Sequence, residues 1–463
     1  MRPPPDYTER LSSPEDCPLA AFEPVRYAAL TDVGVKRSHN QDACLPVPAA
    51  DEAAWRDHGH VFVVADGMGG HAVGEKASFK AVRDIPQIYN KHARDGAAAA
   101  IRRAFTEANS GIHNIGQENP EFRGLGTTAV ALFLRPEGAW VGHVGDSRVY
   151  RFRDGNAEQL TFDHSWVWEI AKRQGVDPDE LGDFKKNVII RSLGPDPEVE
   201  VDVEGPHPVH SGDVFLLCSD GLTGVVMPDE VGAVATALPP EEAAKMLVHL
   251  ANLRGGPDNI TVMIVRVGGG SEAGDGRPGA GFFARLLRGW NRRVPLPFTA
   301  LGGGGLLAGL ALAMHLGEIP GANALFVLAA AVILGGLGGL IAQLMKEQPE
   351  EEARPPEDEG PRELHVYKTT PCPVTAAVAD KFGQLETALI QAMKAQDVAA
   401  DWGGHDKLAK AAEAAKAKGD AEAFRARCKA LLFLAEAFHK ARNKEESFRP
   451  SWKDRNGPGT PPA

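Results

Sequence analysis

The chain has 463 residues, room for two to four domains of ordinary size. Its 50 Lys and Arg against 62 Asp and Glu give a net charge of −12 at pH 7, which argues against a phosphate-backbone-binding face and hence against nucleic acid as a partner. An apolar share of 43% and a charged share of 24% sit near globular averages and exclude a wholly disordered chain.

Residues 1–24 are rich in proline and charge and read as a disordered lead-in; Met1-Arg2-Pro3-Pro4-Pro5 has no apolar signal-peptide core, so export is not expected. From 25 to 267, short apolar runs alternate with polar turns. Val61–Ala65, Thr128–Leu134, Trp140–Val144, Val214–Cys218 and Ile260–Val267 have the length and β-branched content of buried strands. Apolar residues at three- and four-residue steps predict helices near 75–90, 97–115, 165–175 and 240–253. The region is one large mixed domain.

Gly268–Arg277 opens a flexible linker that runs to 295. Leu296–Gly317 and Ile319–Met345 then form two apolar stretches free of Lys, Arg and Asp, each meeting the need for about 20 apolar residues to cross a bilayer. Arg285, Arg288, Arg292 and Arg293 before them and Lys346 after them predict a two-span anchor in the cytoplasmic membrane, with the catalytic domain and the C-terminus cytoplasmic. An acidic, Pro-rich spacer follows at 346–373, then an Ala/Lys/Glu-rich helical region at 374–447 and a disordered tail at 448–463. Leu431, Leu432, Leu434, Ala435 and Phe438 are placed to face a partner helix, which suggests a protein partner for this region or self-association. The five cysteines (Cys17, Cys44, Cys218, Cys372, Cys428) are odd in number, far apart and form no CxxC, so neither a disulfide framework nor a zinc-thiolate site is expected.

The chemistry gathers at carboxylates. Three predicted strands end in Asp66-Gly67, Asp146-Ser147 and Asp220-Gly221, and a fourth starts just after Asp258-Asn259. A single Asp-Gly is commonly a turn. Four acids at strand ends in one domain suggest instead an oxygen-lined cluster, because desolvated carboxylates need a compensating cation. Hard oxygen donors without cysteine favour Mg²⁺ or Mn²⁺ over zinc or copper. Upstream, Arg37 beside such a cluster makes sense if a bound phosphate is shared by cation and guanidinium.

The ordered set Arg37-x-x-Asn40-Gln41-Asp42, Asp66-Gly-Met-Gly-Gly-His71, Gly124-Leu-Gly-Thr-Thr128, Val144-Gly-Asp-Ser-Arg148, Leu160-Thr-Phe-Asp-His-Ser165, Cys218-Ser-Asp-Gly221 and Asp258-Asn259 closely resembles the bacterial metal-dependent Ser/Thr protein phosphatases of the protein phosphatase 2C (PPM) family. The resemblance spans about 25 to 267. It implies an α+β fold, a four-layer αββα sandwich of two antiparallel sheets flanked by helices, here to be followed by the transmembrane hairpin and the helical C-terminal region. It implies that Asp66 and the carbonyl of Gly67 bind a dinuclear Mn²⁺ or Mg²⁺ pair, that Asp220 ligates one ion and Asp258 the other, and that Asp42 holds water in an outer shell. Asp146 with Asp220 would bind a weaker third ion, and Arg37 the substrate phosphate. The implied reaction is hydrolysis of phosphoserine and phosphothreonine on proteins by a water that the two ions activate, with phosphorylated substrates of Ser/Thr kinases as partners. Arg37, Asp42 and Asp66 are the implied catalytic residues.

Some relatives place a histidine straight after Asp-Gly as the proton donor; Met68 stands there in this chain, and His39 and His71 lie nearby in sequence. The stretch Asp163–Arg191 resembles the family's flap, a variable surface beside the site, with Trp166 and Trp168 available to a protein substrate or to packing. Rival readings are a catalytically weak 2C-type scaffold, a stress-type regulator acting on one partner, and a small-molecule phosphomonoesterase.

Overall fold

The computed structural model describes residues 25–69, 73–118, 120–122, 124–181, 188–268 and 364–443, besides the isolated positions 316 and 330. The described residues from 25 to 268 and from 364 to 443 belong to one compact unit.

Among the described residues, twelve strands build two antiparallel sheets. The first sheet runs in the order β1 (Arg26–Asp32), β11 (Ile260–Arg266), β10 (Val214–Cys218), β7 (Arg148–Arg153), β8 (Asn156–Gln159) and β12 (Lys368–Pro371). The second runs β2 (Asp42–Val47), β3 (His60–Met68), β5 (Ala129–Arg135), β6 (Gly138–Val144) and β9 (Asp202–His207), with the two-residue β4 (Gly126–Thr127) added to the end of β3. Because side chains alternate along a strand, each sheet feeds two cores. In β3, Phe62 and Val64 point between the sheets, where they meet Phe215, Leu217, Met263 and Val265. Val61, Val63 and Ala65 point outward. Strands buried on both faces read as continuous apolar runs, which is why these segments stood out in the sequence.

The outer face of the second sheet is covered by α2 (Val73–His92) and α3 (Ala97–Glu118), whose Ala81, Ile85 and Tyr89, and Ile101, Phe105 and Ile112, recur at helical spacing. The outer face of the first sheet is covered by α6 (Pro228–Ala237) and α7 (Pro240–Leu253). Helices α1 (Glu52–His58), α4 (Trp166–Gln174) and the single turn α5 (Asp220–Thr223) lie at the connections. The two antiparallel sheets with flanking helices agree with the expected sandwich.

The C-terminal part departs from expectation. Helices α8 (Ala376–Ala395), α9 (Trp402–Ala415) and α10 (Asp420–Asn443) pack onto the α6–α7 layer of the same chain. Leu431, Leu434 and Ala435, read from the sequence as facing a separate partner, are buried in one core with Val234 and Leu247 of that layer and with Ile260, Val262 and Ile264 of β11. Leu432 and Phe438 pack against the same core, and Phe382, Leu389 and Met393 of α8 and Phe424 of α10 join it. Cys372 docks into a notch at Gly232 of α6, where a Cβ would stand 2.5 Å from its sulfur. The end of the expected spacer is itself a strand. β12 pairs in register with β8, Lys368 opposite Gln159 and Pro371 opposite Asn156, and proline is tolerated because this is an edge.

The expected membrane location is corrected. No helix among the described residues is long and apolar enough to cross a membrane. The stretches 296–317 and 319–345 lie outside the described residues apart from Leu316 and Ala330, as do the lead-in, the linker after Gly268, most of the spacer, positions 444–447 of the expected helical region and the tail. Among the described cysteines, Cys44, Cys218, Cys372 and Cys428 are all free thiols.

Candidate metal centre

Six of the seven residues singled out in the sequence sit at strand ends or in the loops beside them, and Arg37 sits in the loop between β1 and β2. Asp42 opens β2 directly opposite Asp66 on β3. One carboxylate oxygen of Asp42, Oδ2, accepts hydrogen bonds from the hydroxyls of Ser219 and Thr261, both at 2.7 Å. The other, Oδ1, is buried with no hydrogen-bond partner among the described residues. Burial and the neighbouring charges of Asp220 and Asp258 outweigh those two hydrogen bonds and push Asp42 up to about 7.

Asp66 is held by its backbone. Its N–H donates to the Thr128 hydroxyl at 3.0 Å, and its carbonyl accepts from Thr128 N–H and the Thr127 hydroxyl, both at 2.8 Å. Gly67 follows because the chain passes too close for anything larger: a Cβ there would lie 2.2 Å from the carbonyl oxygen of Gly74. Asp146 follows Gly145, whose φ of +115° and contact with Thr128 exclude a side chain. The Ser147 hydroxyl is hydrogen-bonded to that of Thr128 at 2.7 Å, which ties the Asp146 loop to the Asp66 strand.

Asp220 starts the single turn α5 after β10, and Gly221 lets the turn lie against the Asn259 carbonyl, 1.9 Å from where a Cβ would stand. Asp258 precedes β11, and its Oδ2 accepts from the Arg37 guanidinium at 2.8 Å. Asn259 fastens the Arg37–Asp42 loop. Its side chain accepts from Gln41 N–H at 2.8 Å and donates to the carbonyls of Val33 and His39 at 3.0 and 2.9 Å.

These acids sense one another. Burial first, then the charges of Asp42, Asp220, Asp146 and Asp258, raise Asp66 well above the ordinary carboxylate range. Burial and Asp220 raise Asp146 in the same direction, and burial and Asp258 raise Asp220, which also shares a hydrogen bond with Asp66. Asp146 Oδ1 and Asp220 Oδ1, like Asp42 Oδ1, are buried without a hydrogen-bond partner among the described residues. Buried carboxylate oxygens without donors, set among like charges, fit divalent cations of the hard, oxygen-seeking kind.

A second cluster has a different character. One ligand atom from each of His143, His164 and Asp202 lies within 4.8 Å of the others. There the cation is already present: Arg191 donates to Asp202 Oδ1 at 2.8 Å, and His164 Nε2 is 3.0 Å from Asp202 Oδ2. His143, on β6, packs against the His164 ring with centroids 4.4 Å apart and makes no hydrogen bond through its own ring among the described residues, so the positive charge beside Asp202 comes from Arg191.

The sequence reading left several supporting residues without a role. Thr128, Ser147, Ser219 and Thr261 are the hydroxyls that orient the acids, and Arg148 binds Asp163 through two nitrogens at 2.7–3.0 Å. The first three and the Arg148–Asp163 pair lie inside the quoted motifs, so their motif positions were the available signal. Of the histidines near Asp66 in sequence, His39 is exposed and its carbonyl serves Asn259, while His71 lies outside the described residues.

A model of the family described as Protein phosphatase 2C matches residues 35–252. Protein phosphatase PhpP of Streptococcus pneumoniae is 37% identical over 242 residues, which are 51% of this chain and 95% of that protein. The chain belongs to the protein phosphatase 2C family. Serine/threonine phosphatase stp of Listeria monocytogenes is 34% identical over 241 residues, covering 51% of this chain and 93% of that protein. A solved catalytic domain of the serine/threonine protein phosphatase PstP, in complex with two manganese ions, is 30% identical, covers 53% of this chain and 99% of that one, and has a TM-score of 0.45. As a member of this family the chain is a metal-dependent Ser/Thr protein phosphatase, a hydrolase acting on phosphoproteins. The helices α8–α10 lie beyond the residues that the family model matches.

Proposed function

We propose that this chain removes phosphate from phosphoserine and phosphothreonine at the sheet-end cluster, with Asp66, the Gly67 carbonyl, Asp220 and Asp258 holding two Mn²⁺ or Mg²⁺ ions. Asp146 with Asp220 serves a weaker third site. The ions, when bound, supply a water acidic enough to act as nucleophile near neutral pH and neutralise charge on the phosphoryl group. The observation that carries the reading is the convergence of mutually repelling carboxylates from separate strand ends, three of which, Asp42, Asp146 and Asp220, each keep a buried oxygen without a hydrogen-bond donor among the described residues.

The protein's own part is orientation. Ser219 and Thr261 fix one oxygen of Asp42, leaving the other to orient water. Thr127 and Thr128 lock the backbone at Asp66, so its carboxylate does not swing away from its neighbours. Arg37 rests on Asp258 and is half exposed, so its planar fork is available to two oxygens of an incoming phosphate. Met68 has no proton to give, so the leaving alkoxide draws its proton from elsewhere than this side chain.

The test is release of phosphate from a phosphothreonine peptide by the full chain with Mn²⁺, with Mg²⁺ and with chelator. Turnover that survives exhaustive chelation overturns the metal reading, and turnover of a sugar phosphate in preference to the peptide overturns the protein-substrate reading.

A further inference from the structure

The segment Asp163–Arg191, described over 163–181 and 188–191, is bound at both ends to the loops that present the site acids. At its start, His164 N–H donates to the Gly145 carbonyl at 2.8 Å and its Nδ1 accepts from Gly145 N–H at 3.0 Å, one residue before Asp146. Just past its end, Leu193 and Thr127 exchange two backbone hydrogen bonds of 2.8 and 3.0 Å, next to the residue that holds Asp66. Its outward side chains Trp166, Val188 and Ile190 are about half exposed, at 50%, 44% and 47%.

The third attachment comes from the far end of the chain. Lys368 on β12 reaches Asp177 at 3.1 Å and Asp179 at 2.5 Å, in the turn after α4. Beside it, Tyr367 donates its N–H to the Gln159 carbonyl at 2.9 Å and its hydroxyl to Glu204 at 2.8 Å. Its ring lies 5.7 Å from Phe162, which meets Trp168 of α4 edge-on at 5.2 Å. β12 is in turn fixed by its pairing with β8, by Cys372 in the Gly232 notch and by the core under α8 and α10.

We propose that Tyr367 and Lys368 are positioning residues for the flap: the C-terminal module holds α4 and the Asp177–Asp179 turn at a set distance from the site, and so tunes the use of phosphoprotein substrates. The proposal rests on the phosphatase reading above. A small aryl phosphate needs the acids alone, whereas a protein substrate must also fit beside Trp166, Val188 and Ile190. A surface lysine ion pair is individually weak, so the ring and the ion pairs are tested together.

The experiment uses the full chain carrying Tyr367→Ala with Lys368→Met, and separately Lys368→Arg, with phosphorylated casein and p-nitrophenyl phosphate as substrates. For the double variant, KM for phosphocasein is expected to rise at least about threefold with kcat within about twofold, while both constants for p-nitrophenyl phosphate stay within about twofold. Hydrogen exchange of the amides at 166–181 is expected to speed up at least about threefold, and Lys368→Arg to keep the parent values. Equal losses on both substrates, or unchanged exchange at 166–181, overturn the brace. Exchange is read without turnover, so failure of the parent chain to hydrolyse either substrate counts against the phosphatase reading and leaves the brace to be judged on exchange.

Discussion

Two carboxylates in this chain, both pushed up by desolvation, have opposite fates. Asp66 stands among four other acids, and burial together with their charges raises it well above the usual range. Glu230, at the seam between α6 and the C-terminal helices, is fully buried, but Arg254 grips it through two nitrogens at 2.6 and 2.7 Å and Lys381 adds a contact at 2.7 Å. Burial raises Glu230 as well, yet those hydrogen bonds outweigh it and draw the group down to about 2. The neighbours, not the burial, decide the sign. The seam is self-sufficient, whereas the site is left short of positive charge, which is the condition for recruiting a cation.

The comparison breaks most sharply at Asp66. Asp66→Asn is expected to lower turnover of a phosphopeptide by at least about 10³-fold, the scale of several kcal/mol of lost transition-state stabilisation, with the circular dichroism spectrum retained. Near-parent turnover would remove Asp66 from the centre. At the seam the loss should fall on stability instead: Leu434→Ala is expected to cost about 3 kcal/mol in denaturant unfolding with phosphatase turnover of the folded protein kept. A single transition shifted as a whole is the expected form, because α10 shares one core with α6 and α7.

Adding Mn²⁺ at about 100 times its dissociation constant should stabilise the folded chain by about 2.7 kcal/mol, and Asp66→Asn should shrink that gain. A thermal shift indifferent to Mn²⁺ would sink the centre without reference to activity. The smallest effect is the pH dependence of the seam. Glu230 is depressed in the folded state, so its stabilisation is present above the unfolded value of about 4.3 and is lost as pH falls towards about 2. The stability difference between parent and Glu230→Gln, about 2 kcal/mol near neutral pH, should therefore narrow between about pH 5 and pH 2. A difference that stays constant across that window would show that Glu230 is not held ionised by Arg254 and Lys381.

Much of the site was legible because its residues are chemically conspicuous. Acids placed after apolar runs, as at Asp66, Asp146 and Asp220, read as charges delivered to strand ends, and the same runs named five strands. Seven of the twelve described strands were not named from the sequence, among them β1 and β7, whose apolar residues are flanked or interrupted by charged ones, and two with weak local signals. β8 is four residues, Asn156–Gln159, of which only Ala157 is apolar, and β12 ends in proline. The hydroxyls of Ser219 and Thr261 could not be assigned, since their partner Asp42 is 177 and 219 residues away.

By itself the sequence determined the local alternatives: which runs were apolar on both faces, where helical spacing set in, and which side chains could ligate a hard cation. Only the tertiary structure decided what the C-terminal helices cover. An amphipathic face specifies that it must be buried, and nothing in its spacing distinguishes a separate partner from the neighbouring layer of its own chain. Here Leu431, Leu434 and Phe424 meet α6 and α7 of the same molecule, and Lys368 reaches the Asp177–Asp179 turn because sheet pairing, not proximity in sequence, put it there.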